Sequence, residues 1–431
     1  MKKNLLFQIG LSLPIILLIG LIGCKNDNAQ YSYPSSISLT IENNIEMNRN
    51  DELILISLSE INKYADDFNE NYFVILLTGD EIPCQLVDID GDNIPDAIAS
   101  VIDLSANSKK NLLLKYNPVG EYKKNYPIRT QSNLSVKTDY KLENGYYKDG
   151  YFKSVEKIKL PEGHFPHNAF IKTEGPSWES EKIAYRFYLD ERNRNDIFVK
   201  KVDSMITHIV GINDLVSDSK ESYTQMTEWG MDNFKVGQTL GIGSIAILYN
   251  NEVITVSNTD SVVCIVNNNG PILSGVSTDY FGWQVNSTKY DLNSNLTISA
   301  GSRLTKTSLT ITGEPDNICT GLAKHDNTSF IKSEDNEESE WGYIALYGKQ
   351  SLAGDNMGIV LFYKKNDLIK RIEDDRSYIV TLKPNDGVVE YYFGAAWENE
   401  LNGIKTESEF VNYIKHEQIK LSNPVKISLN N

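Results

Sequence analysis

Short runs of β-branched and aromatic residues recur along this chain, joined by Asn- and Gly-rich turns, and no helical crossover separates them. That succession restricts the fold more than any other feature, because such turns join antiparallel neighbours, whereas parallel strands need long connections. "SISLTI", "ELILISL", "YFVILLTG", "DAIASVIDL" and "KNLLLKY" come first. Their lengths and punctuation predict a small β-sandwich over residues 37–120. The pattern resumes with "KIAYRFYL", "SIAILYNNEVITVSN", "SVVCIVNN", "LTISAG", "SLTITG", "WGYIALYG", "MGIVLFYKK", "SYIVTLKP" and "VVEYYFGAAW". Here "YNNE", "VNNNG" and "KPNDG" supply the turns. The expectation is all-β: a large antiparallel supersandwich over 121–431 with few helices. One helix is predicted at Thr406 to His416, where a threonine and early glutamates suit a helix start. No repeat period is visible, which disfavours a propeller or solenoid.

Lys2 and Lys3 precede an apolar run that ends in Leu21-Ile22-Gly23-Cys24. This reads as a lipoprotein signal peptide over 1–23, with lipidation at Cys24 and a polar tether over 24–36. An outer-membrane lipoprotein is expected, facing the periplasm or the cell surface and touching the membrane through its lipid alone. Removing the two lysines takes the formal charge from −16 to −18. That excess of acid argues against nucleic acid as a partner. Cys84, Cys264 and Cys319 remain, without metal-ligand spacing, so buried thiols are expected, with at most one disulfide.

"VDIDGDNIPDAIASV" sets Asp88, Asp90, Asp92 and Asp96 at positions 1, 3, 5 and 9 of a tight loop, with the Ile94 carbonyl as a further oxygen. Oxygens so spaced can converge on a hard cation, so a structural calcium site is expected; a solvated acidic turn is the simpler alternative. The loop is not an EF-hand, since glycine stands at position 4 and no glutamate follows at position 12.

The densest stretch is "EGHFPHNAFIKTEGPSWESEKIAYRFYLDERNRNDIFVKK". Read as a strand, "KIAYRFYLD" sends Ile183, Tyr185, Phe187 and Leu189 to one face and Ala184, Arg186, Tyr188 and Asp190 to the other. If the second face is open, Arg186 can fork onto a carboxylate while Tyr188 transfers a proton. His164, His167, Glu174, Trp178 and Glu179 lie upstream of it, and Arg192, Arg194 and Asp196 downstream. A charged loop that merely ties strands together is the plainer reading. Zinc at His164 and His167 lacks a third ligand. His325 in "TGLAKHDN" is a candidate to assist a leaving oxygen; Tyr392 and Glu398 in "VVEYYFGAAWENE" could floor a cleft. GxxxGxG at Gly237, Gly241 and Gly243 has no strand–helix context for a nucleotide.

"IPCQLVDIDGDNIPDAI", the motif EGPxWESxKxxYRFYLDxRNxxDIF, "EWGMDNFKVGQTLGIGSIAI", "TGLAKH" and "YYFGAAWENE" resemble, in this order, a family of bacterial lipoproteins and secreted proteins known only as a domain of unknown function. The resemblance covers nearly all of the chain after the signal. It implies a small β-domain followed by a supersandwich like those of galactose mutarotases and several polysaccharide lyases. It also implies a setting in polysaccharide utilisation, beside enzymes for uronate polymers. Val199 stands where the family pattern carries glycine, in what reads as a turn. No catalytic set is carried over.

Chemistry thus rests on the residues. The leading expectation is β-elimination on a uronic-acid oligosaccharide, by a lyase or a dehydratase. Arg186 would bind the carboxylate, His167 or Tyr188 would take the proton, and His164 or His325 would help the leaving oxygen. Trp178, Tyr392, Glu174, Glu179, Arg192 and Glu398 would contact sugar. Alternatives are hydrolysis by paired carboxylates (Glu174 or Glu179 with Glu398) and glycan binding without turnover. No organic cofactor is expected.

Overall fold

The computed structural model describes residues 32–212, 222–335 and 338–430. The signal segment, Cys24 and the tether up to residue 31 lie outside the described residues. Antiparallel strands dominate, and the described residues contain two α-helices, Leu58–Tyr64 and Glu407–Ser422.

In the small sandwich, one sheet runs Lys426–Asn430, Ser35–Asn43, Ser108–Tyr116, Phe73–Leu77, Asp80–Ile82, and the other runs Arg49–Ser57, Ala97–Leu104, Cys84–Val87. Strict alternation drives it, since Ile37, Leu39 and Ile41 point inward with Ile54, Ile56, Ile98 and Leu114. The expected division at residue 120 is corrected in one respect: the last strand of the chain returns to this sandwich. Lys426–Asn430 pairs antiparallel with the first strand, Leu429 opposite Leu39.

The large sandwich is built on a nine-stranded sheet: Lys157–Lys159, Ser261–Asn269, Leu273–Val285, Thr288–Ser299, Leu304–Ile311, Val388–Trp397, Met357–Lys364, Trp341–Gly348, Thr328–Lys332. Two five-stranded sheets pack against it. The first runs Gly230–Asp232, Asn195–Lys200, Ile183–Phe187, Ser177–Ser180, Thr130–Asn133; the second runs Glu252–Thr255, Ala246–Tyr249, Ile318–Ala323, Ser377–Leu382, Leu368–Glu373. Trp178, Tyr185, Ile197, Leu309, Tyr391, Phe393 and Val380 fill the core between them. Val199 is buried within the strand Asn195–Lys200, opposite Ile183 and Met231, so the position is a strand interior and not a turn.

Alternate residues of the nine-stranded sheet face outward, and the second helix covers part of that face, with Phe410 and Ile414 on Tyr343, Val360, Phe362 and Ala396. A Cβ at Gly358 would meet the Phe410 ring at 2.4 Å, so glycine there lets the helix sit close. Thr406 and Glu409 form a capping box at its start. Expected to end near His416, the helix runs on to Ser422 because Gln418 Nε2 donates to the Trp341 carbonyl, 2.9 Å away. Cys84, Cys264 and Cys319 are all free and buried.

Candidate functional site

The strand Ile183–Phe187 has the expected alternation, but neither face is open. Ile206, Val210, Tyr223 and Trp229 pack over Ala184 and Phe198, covering the face that was expected to meet solvent. Glu179 anchors this cover: its Oε1 accepts from the Ile206 and Thr207 amides at 2.8 and 2.7 Å, and its Oε2 from Lys200 Nζ at 2.7 Å. The Glu179–Lys200 pair is fully buried, so Glu179 supports the fold and cannot reach a sugar. Trp178 is likewise sealed in the core, its indole N–H donating to Thr305 Oγ1 at 2.8 Å.

Arg186 is only 3% exposed and held between two acids, Nη2 lying 2.8 Å from Asp196 and 2.6 Å from Asp232. Nη1 donates to the Thr173 carbonyl at 2.9 Å. A substrate carboxylate would have to displace buried partners, which corrects the expectation that Arg186 is the clamp. The Tyr188 hydroxyl donates to Asp196 at 2.7 Å and accepts from Arg186 at 3.0 Å. Burial, then Asp196, push its pKa well up, so it stays a neutral phenol and no phenolate is at hand to act as the base.

Around this pair lies a more accessible set. His167 Nδ1 is 2.5 Å from Glu174 Oε1, and the His167 side chain is 73% exposed. Arg192 Nη2 reaches the same Glu174 oxygen at 3.2 Å and Asp190 at 2.5 Å, while its guanidinium lies 4.0 Å over the Tyr188 ring. Burial works against the Arg192 charge, but Asp190 and Glu174 outweigh it. His167, Thr173 and Glu174 all adopt left-handed backbone, with φ of 63°, 51° and 65°. Such conformations are costly for residues with a Cβ and cluster where function demands them.

His164 sits behind this set as a strut. Its Nδ1 is 3.0 Å from the Asn168 amide, and burial lowers its pKa while a bond to the Leu189 backbone works the other way. Asp232, which the sequence reading passed over, is pulled both ways: burial raises its pKa, Arg186 opposes the rise, and Asp196 and Glu174 add to it. Among the described residues its Oδ1, Arg186 Nε and Glu174 Oε1 are buried without a hydrogen-bond partner. The only local signal for Asp232 was one acid in "WGMDNF", which carries no spacing motif.

The leaving-oxygen candidate His325 and the remaining sugar-contact candidates lie elsewhere. His325 packs on Phe234, ring centroids 5.0 Å apart. Tyr392 is on the outward face of the nine-stranded sheet against Trp341, and Glu398 holds the Asn356 amides at 2.9 Å. Tyr392 borders a groove of about 700 Å³ between the small sandwich, this face and the second helix. There Glu52 and Glu417 are paired with Lys420. The hollow at His164, His167, Glu174 and Asp190 is much smaller, about 10 Å³, but it alone of the two holds a histidine–carboxylate pair.

In the aspartate loop, carboxylate oxygens of Asp88, Asp90 and Asp96 lie within 4.8 Å of one another. Asp92 instead accepts from the Ile94 amide at 2.7 Å. The loop docks on the large sandwich, with Asn268 Nδ2 donating to the Asp88 carbonyl and Asn295 Nδ2 to that of Ile89, both at 2.6 Å.

A protein from Formosa agariphila, described as uncharacterized protein P7, is 22% identical over 413 residues, covering 91% of this chain and 93% of its own. Two solved structures from Enterococcus faecalis, an alpha-mannosidase and a protein in the glycosyl hydrolase family 38, superpose on 92% of this chain at 10% identity. Their TM-scores are 0.47 and 0.48, and the chain spans about half their length, 46% and 47%. Residues 41–427 match the family described as Domain of unknown function (DUF4861), and the chain belongs to that family.

Proposed function

We propose that this protein is a lipid-anchored enzyme of the outer membrane that acts on uronic-acid-containing oligosaccharides by β-elimination. The His167–Glu174 pair carries the reading. Glu174 Oε1 lies against Nδ1 and would orient the ring and stabilise the charge it gains, leaving Nε2 to take the proton α to the sugar carboxylate. That carbon acid is weak, so charge developing on the carboxylate needs a cation; Arg192, 22% exposed against 3% for Arg186, supplies one in its place. Arg186, Tyr188, Asp196 and Asp232 then hold the Thr173 carbonyl, next to Glu174, and the strand behind it.

The test is the purified protein with a panel of uronate oligosaccharides, following ultraviolet absorbance of the new C=C bond and, separately, reducing ends. His167→Ala and Glu174→Gln should each lower kcat by about 10²- to 10⁴-fold. Full turnover in either variant removes this mechanism. Glycan binding without turnover is the second reading, favoured by the small size of the hollow; it is indicated by affinity without a double-bond signal. Hydrolysis loses its support from Glu179, which is buried against Lys200.

We also propose calcium at Asp88, Asp90 and Asp96 as a brace between the sandwiches. Burial raises the Asp88 pKa, and Asp90 and Asp96 add to it against the Gly91 and Asn93 amides, a crowding that a cation would relieve. Calcium should raise the melting temperature and a chelator lower it, with Asp88→Ala abolishing the difference. A melting temperature indifferent to both would dispose of the ion.

A further inference from the structure

Residues 121–160 play no part in the mechanism above, yet they hold six tyrosines and a charge opposite to the rest of the chain. Eight lysines and one arginine against five acids make +4, in a chain of −16; the excess lies around the hairpin, where Lys141 and Lys148 are balanced by Asp149 and Glu143. Within this stretch Lys141–Glu143 and Tyr146–Lys148 form a hairpin around Asn144-Gly145, both left-handed at φ 53° and 83°, as a two-residue primed turn requires. A Cβ on Gly145 would meet the Phe165 ring at 2.8 Å, so the turn is fitted to that ring.

The hairpin is docked on the histidine loop. Tyr147 N donates to the Asn168 carbonyl at 2.9 Å, and the Tyr147 ring lies 4.8 Å from Phe170. Its register puts Lys141, Glu143, Tyr146 and Lys148 on one face and Leu142 and Tyr147 on the other. On the first face Tyr146, 46% exposed, meets Phe165 edge-on at 5.1 Å. Phe165 is two residues before His167, so aromatic surface runs from the hairpin towards the His167–Glu174 pair. Lys148 and Lys141 are paired only with the exposed Glu143 and Asp149. Such pairs contribute little, and both amines can turn to a ligand acid.

We propose that this hairpin face, with Tyr146, Phe165, Lys141 and Lys148, is a binding platform for the neighbouring units of an anionic polysaccharide chain. It would make the substrate a chain of several acidic sugars, the aromatic rings taking sugar C–H faces and the lysines their carboxylates. The assignment of substrate rests on the reading of His167 and Glu174; the binding itself does not need their chemistry.

The experiment is calorimetric titration of the full chain carrying His167→Ala, to prevent turnover, with hexasaccharides and disaccharides of galacturonate, glucuronate and mannuronate, and with neutral cellohexaose. At least one uronate hexasaccharide should bind, more tightly than its disaccharide and than cellohexaose. Tyr146→Ala should weaken that hexasaccharide about tenfold and leave the disaccharide unchanged. Lys141→Glu with Lys148→Glu, which keeps the rings, should weaken it comparably and reduce its salt dependence. Unchanged hexasaccharide affinity in both variants, equal losses for the disaccharide, or no binding of any uronate hexasaccharide would overturn the platform. Vesicles of anionic lipid captured through Tyr146 in place of any glycan would also overturn it. Chain-length discrimination with no double-bond product in the His167 protein would instead sink the elimination and leave the platform standing.

Discussion

Arg186 stands between Asp196 and Asp232 with all three side chains buried, so its charge holds the fold and is closed to a ligand. Arg186→Met should therefore cost about 3–5 kcal/mol in urea unfolding, because it leaves acids buried without their cation. Arg192→Lys, which keeps a cation beside the buried Asp190, should lower kcat/KM with less loss of stability. Equal stability losses in the two variants would mean that the roles have been exchanged wrongly. His164 has a different signature. Burial is the main cause of its lowered pKa, so the unfolded chain binds this proton more readily than the folded one. Its contribution is complete above the ordinary value of 6.5 and is lost as pH falls below it. Urea midpoints measured at about pH 5 and about pH 8 should differ less in His164→Gln than in the parent. These residue types were legible in the sequence, and their partners were not. Asp232 is far from Arg186 in the chain, and no local pattern announces that two strands will bring them to 2.6 Å.

At the scale of elements, alternation in "KIAYRFYLD" correctly divided the strand into two faces. It could not say that the second face would also be covered, since that depends on Ile206, Val210 and Tyr223 folding back over it. The same limit applies to Tyr392, whose side of its strand followed from the period while the choice of outward sheet face did not. Turn and cap chemistry is local and was read more fully. Thr406 starts its helix with the residues expected, whereas the end was misplaced because Gln418 is held by a carbonyl from another strand. The Asn-Gly turn of the Lys141–Lys148 hairpin is as local a signal and, though it was passed over, was legible. Its place beside His167 was not, because Asn168 and Phe170 create it.

In the whole molecule, the chain closes on itself: its final strand covers the edge of its first. Ending the chain at Pro424 would bare the backbone of Ser35–Asn43 along that side and remove Ile427 and Leu429 from the small core. The truncated protein should melt at lower temperature and scatter light on standing, as open strand edges associate. A truncated protein as stable and monodisperse as the parent would show that the last strand is dispensable. By itself the sequence determined the all-β class, the antiparallel connections, the aspartate loop and the sites of turns and caps, because period, propensity and turn chemistry act within a few residues. Only the tertiary structure decided which faces are sealed, which acids hold Arg186, and that His167 meets Glu174 in the open, because burial and ion pairing depend on residues distant in the chain.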